Sequence, residues 1–186
     1  MKNEARIDLL ARVARSAAPL DPARPMSILS LAAASYGARP TEDATVPTGF
    51  DPGAVVLFEA IVEGAYLVAT ADGIFDVEEQ RVFKLLVVAA CGGTVAPHQV
   101  GALISDLHDL LEENGLDGRI EHLARTVTKK DHALEVLRIA GLLGQAGDDV
   151  SRIEREVLCK IARRCGLDHT AVDKALEEVR VALSSA

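Results

Sequence analysis

The sequence predicts an all-α protein: a compact bundle of about seven helices, preceded by a short helical extension. Three observations carry that expectation. Apolar residues recur at helical spacing through most of the 186 residues, and no segment alternates with period two over a useful length. The hydrophobic content of 49% is mostly Ala, Leu, Val and Ile, with aromatics at 3% and no Trp, which suits close-packed helices. Pro, Gly and acidic residues fall between the periodic stretches, where helix starts and stops belong.

Residues 3 to 17 place Ile7, Leu10, Ala14 and Ala17 at helical spacing, with Val13 alongside. Pro19, Pro22 and Pro25 break the pattern. Met26 to Tyr36 reads as a short, nearly all-apolar helix closed by Gly37. Residues 38 to 53 hold Pro40, Pro47, Pro52, Gly49 and Gly53 and form the clearest linker. Residues 1–50 therefore read as an N-terminal extension and 51–186 as the main helical domain. Deleting residues 1 to 49 is expected to leave a folded core, unless Met26 to Tyr36 packs deeply into it.

Asp51 caps the next helix, with Pro52 in its first turn. That helix is read to Asp72, with Gly73 as its left-handed stop. The following helix spans Asp76 to Ala90 and ends at Gly92-Gly93. Pro97 opens another, through Leu103, Leu107, Leu110 and Leu111 to Asn114-Gly115. Residues 118 to 127 form a shorter one on Ile120, Leu123 and Val127, and Ala133 to Ala146 is apolar on one face. Ser151 begins a helix that ends at Gly166, and Asp168 caps the last, to about Leu183.

Charge and composition narrow the function classes. The net charge of −8 argues against nucleic acid and against an anionic membrane surface, and permits cations. Ala54 to Ala71 is interrupted by Glu59 and Glu63, so it reads as a buried helix with no membrane insertion. Those two carboxylates are expected at a solvent-facing edge, with a contribution to a cation surface as the alternative. Met1 to Ala18 lacks a continuous apolar stretch, so no secretory signal is read there and a cytoplasmic location is expected. Cys91, Cys159 and Cys165 form no C-x-x-C pair; each lies in an apolar helical pattern and is expected to be a reduced core thiol. No H-E-x-x-H, P-loop, G-x-S-x-G, G-x-G-x-x-G or EF-hand spacing occurs, and no Glu-x-x-His helix. No organic cofactor is expected, and no nucleophile–base pair is visible. The late helix carries Arg152, Arg155, Lys160, Arg163 and Arg164. It reads as a solvated face with a Glu156–Lys160 pair, or as a docking patch for an acidic partner.

The chain also repeats itself weakly. Residues 60–92 align with 135–167 without a gap, Ala65, Leu67, Ala71, Glu79 and Val82 matching Ala140, Leu142, Ala146, Glu154 and Val157. In each copy a helix stops on small residues, passes an acidic turn and an apolar residue (Phe75, Val150), and restarts at a cap. Asp76-x-x-Glu79 and Ser151-x-x-Glu154 have the spacing of capping boxes. Capping accounts for those four residues, and Asp72, Asp148 and Asp149 are ordinary turn residues. The competing reading is a cation site, with Asp72, Asp76 and Glu79 in the first turn and Asp148, Asp149 and Glu154 in the second. Oxygen ligands alone select calcium, magnesium or manganese, bound weakly in an open turn.

At Ala71-Asp72-Gly73, Phe75, Asp76 and Glu79 the sequence resembles the tellurite-resistance TerB-like family. The likeness extends over residues 51–186, with Glu154 and the closing Gly166-Leu167 in the second half. Gly147-Asp148 stands where that family has Asp-Gly. The resemblance implies a bacterial helical bundle with pseudo-twofold halves and an acidic surface able to bind divalent cations through Asp72, Asp76, Glu79 and Glu154. It further implies a non-catalytic role in a stress-response or resistance system built from several proteins, hence a protein partner. A metal-independent scaffold is the alternative function, and an enzyme of unknown type the third.

Overall fold

The computed structural model describes residues 2–16, 26–38, 49–73, 75–144 and 150–185. Its helices are α1 (Lys2–Arg15), α2 (Ile28–Gly37), α3 (Pro52–Ala69), α4 (Val77–Ala90), α5 (Pro97–Thr126), α6 (Lys130–Gly144), α7 (Arg152–Arg164) and α8 (Ala171–Ser185). No strand occurs among the described residues. Gly115, at φ 67° and ψ 166°, breaks α5 into two segments, so the described chain has seven helical segments from Pro52 onward.

Local chemistry places most boundaries. Asp51 Oδ1 accepts from the amides of Gly53 and Ala54 at 2.9 and 3.3 Å, with Pro52 in the first turn. α3 stops at Ala69, three residues before the reading from sequence. The Thr70 hydroxyl donates to Tyr66 O at 2.9 Å and terminates it, while Gly73 takes φ +78° in the turn beyond. Ser27 caps α2 through the Ser30 amide at 3.1 Å. Asp168 Oδ1 accepts from the Thr170 amide at 2.8 Å, and α8 begins only at Ala171.

α3 and α6 form the centre. Val55, Phe58 and all of 60–68 in α3 are buried, as are Ala133 and all of 135–143 in α6. α3 is the one described helix long and apolar enough to cross a membrane, yet 61% of it is buried among α2, α5, α6 and α7. Gly64 permits the α3–α6 approach: a Cβ there would stand 2.4 Å from Val136 Cγ1. The internal repeat is visible in the element ends. α3 ends at Ala69 and α6 at Gly144, and the caps of α4 and α7 are Asp76 and Ser151, each pair 75 residues apart.

α1 and α2, which fall in the segment set apart as an extension in the sequence, contribute to this same core. Leu10, Val13 and Ala14 of α1 and Leu29, Ala32, Ala33 and Tyr36 of α2 join one contiguous apolar cluster with α3 to α8. The Tyr36 ring lies 4.5 Å from that of Phe58, and Arg15 Nη1 donates to Ala89 O at the end of α4 at 2.5 Å.

Candidate functional site

The first acidic turn is built as a cap. Asp76 Oδ1 accepts from the Glu79 amide and Glu79 Oε2 accepts from the Asp76 amide, both at 2.9 Å. Ser151 and Glu154 repeat the arrangement at 3.2 and 2.7 Å. One oxygen of each partner thus satisfies an amide left open at a helix start, and the carboxylates complement the helix dipole. Asp72, Asp76 and Glu79 are exposed, and Glu154 is half-buried. Asp148 and Asp149 lie outside the described residues, as does Gly147. Among the described residues no three His, Cys, Asp or Glu side chains gather so as to hold a metal ion.

Phe75 anchors the first turn. Its ring meets Tyr66 and Phe83 edge-on at 5.4 and 6.0 Å, a three-ring cluster under the α4 cap. The Tyr66 hydroxyl bonds His108 Nδ1 at 3.3 Å; burial, then the charges of Glu112 and Asp109, raise its pKa. In the second half Val150 takes the anchoring place against the core.

Two charged pairs are buried. Glu63 is not at a solvent-facing edge: its side chain is 6% exposed and that of Arg119 in α5 is 8%, and they meet at 2.6 Å. Burial pushes the Glu63 pKa up, opposed by the Arg119 guanidinium. The other pair lies within α6. Arg138 Nε meets Glu135 Oε2 at 2.7 Å and Nη2 meets Oε1 at 3.0 Å. Residues 63 and 138 are 75 apart, so the two central helices carry opposite buried charges at equivalent positions.

The basic face of α7 is largely paired within the fold. Arg152 bonds Glu156 at 3.0 Å, Lys160 bonds Asp117 at 2.9 Å, Arg164 bonds Glu121 at 2.6 Å, and Arg155 bonds Asp173. Lys160 is therefore drawn across to α5 and not to Glu156. Its hydrogen bond holds the Asp117 carboxyl below the usual range. Of the cysteines, Cys91 is buried, which pushes its thiol up to about 12, and Cys165 is half-buried. Cys159 is exposed, contrary to expectation. The buried stripe of α7 runs through Val157, Leu158, Ile161 and Ala162, and residue 159 falls on the other side.

An apolar groove of about 890 Å³ lies between α2, the start of α3 and residues 126–132. Leu31 is 54% and Val56 46% exposed along it, with Ile28 and Leu57 half-buried. Thr128, Lys129 and His132 close one side. Sequence reasoning missed this groove. α2 and α3 are apolar on every face, so periodicity gives no sign of which residues stay outside.

Comparison with protein-family models, with curated proteins and with solved structures gives no match. The TerB-like resemblance rests on the residues that carry it.

Proposed function

We propose that the chain is a non-catalytic helical interaction module of TerB-like type, whose working surface is the groove between α2 and α3. The occupant it fits is the apolar face of an amphipathic helix from a partner protein. The observation that carries this reading is the exposure of Leu31 and Val56 in a groove walled by two helices. Branched apolar side chains half out of the fold are poor for solubility and good for anchoring a third helix at i, i+3 and i+4 spacing. The acidic turns support a cation reading less well, because Asp76, Glu79 and Glu154 already hold helix-start amides. A role in stress response or resistance, in a bacterial cytoplasm, comes with the resemblance and is proposed on that ground.

The test compares the wild type with Leu31→Glu plus Val56→Glu. Both positions are about half exposed, so the fold should survive, as circular dichroism would verify. A partner captured by the wild type is purified, and its binding is measured by calorimetry against both proteins. Binding abolished by the double substitution supports the groove. A partner that binds both proteins equally refutes it.

A further inference from the structure

We infer that the Glu135–Arg138 pair is a two-ended clamp that holds α1 and α2 on the bundle, and that breaking it releases these two helices without unfolding α3 to α8. Every helix leaves N–H groups open at its start and carbonyls open at its end. Arg138 serves the end of α1: Nη1 donates to Val13 O at 3.2 Å and Nη2 to Ala14 O at 3.1 Å. Glu135 serves the start of α2: Oε1 accepts from the Leu29 amide at 3.1 Å. A cation thus sits at a helix C-terminus and an anion at a helix N-terminus, the favourable sign at both. The two side chains are each 5% exposed and bonded to one another, so neither charge is buried alone. The Ser27 amide donates to Arg15 O at 3.0 Å and brings the two helix ends together over the pair.

The rest of the attachment is the Arg15–Ala89 hydrogen bond, the Tyr36–Phe58 ring contact and apolar packing in which small side chains are prominent. Of the eight buried apolar side chains in α1 and α2, four are alanines: Ala11, Ala14, Ala32 and Ala33. Each brings one methyl to the core. α2 has ten residues, no charged side chain and too little length to persist as an isolated helix. Its order depends on what holds its ends. The inference concerns the fold alone and does not depend on what the groove binds.

Hydrogen exchange read by mass spectrometry on the full chain tests the clamp. Glu135→Gln leaves Arg138 buried without its counter-charge. Glu135→Leu plus Arg138→Met removes both charges, and apolar replacement of a buried pair is often tolerated. In the double variant the amides of α1 and α2 should exchange roughly a hundredfold faster, while those of α3 and α6 change less than about threefold. Unchanged protection of α1 and α2 in that variant would overturn the inference, because packing alone would then hold them. Equal acceleration across α1 to α8, or failure of the double variant to fold, would overturn it too. Either result makes the pair part of one cooperative unit. If Glu135→Gln does not fold, the double variant decides.

Discussion

Replacing Gly37 by Ala should destabilise the protein although Gly37 lies in a helix, where Ala is normally preferred. The backbone at Gly37 has no positive φ, so the exchange carries no conformational strain and a propensity gain of about 1 kcal/mol. Packing decides the sign. A Cβ on Gly37 would stand 1.7 Å from the Thr94 carbonyl oxygen and 2.8 Å from its carbon. Ordinary contact begins at 3.4 Å, so the end of α2 and the turn after α4 must separate by 3.4 − 1.7 = 1.7 Å. The obstacle is backbone, and no rotamer change relieves it. Overpacking of this kind costs about 1–3 kcal/mol or more, and a shift this large belongs at the upper end. Subtracting the propensity gain leaves a loss of about 2 kcal/mol, or roughly 4–8 °C in Tm for a chain of this length. Gly118→Ala is the internal comparison. Gly118 is exposed in α5, and its added Cβ would meet only Asn114 Cβ at 3.5 Å, so the same exchange should stabilise by about 0.5–1 kcal/mol. Thermal melts by circular dichroism read both. A neutral or stabilising Gly37→Ala would refute the close approach of α2 to the turn at Thr94.

Deletion of residues 1–49 is now expected to give insoluble protein. It uncovers the apolar surface that α1 and α2 share with α3 to α8, Phe58 beneath Tyr36 included, and leaves Glu135 and Arg138 without their helix-end partners; a fragment that stays monomeric and soluble at high concentration would show that this surface does not need its cover. Thiol labelling at pH 8 should proceed at Cys159 alone in the native protein. Cys91, with its thiol near 12, carries a thiolate fraction of about one in ten thousand and should react only on unfolding; native labelling at Cys91 would show that it is not buried. Asp76→Ala should cost about 1 kcal/mol through loss of the α4 cap, equally with and without millimolar calcium. A Tm that calcium raises in the wild type, but not in Asp72→Asn plus Glu79→Gln, would instead assign those carboxylates to a cation.

The sequence by itself determined the helices and most of their ends. Period, Pro52 behind Asp51, the Asp76-x-x-Glu79 and Ser151-x-x-Glu154 boxes and the break at Gly115 are local effects, each decided within one or two turns of chain. The repeat was legible for the same reason, since its shared signals are the caps and the apolar spacing. Tertiary structure decided what those signals leave open. Glu63 stands in an apolar run and reads as an edge residue until Arg119, 56 residues away, meets it in the interior. Glu135 and Arg138 look like an ordinary surface i,i+3 pair; only the arrival of two helix ends makes them a buried junction. Lys160 had a local partner in Glu156 and took Asp117. The groove follows the same logic. A helix that is apolar all round carries no record of which side its neighbours cover, so the exposure of Leu31 and Val56 was set by how α2, α3 and α6 pack together.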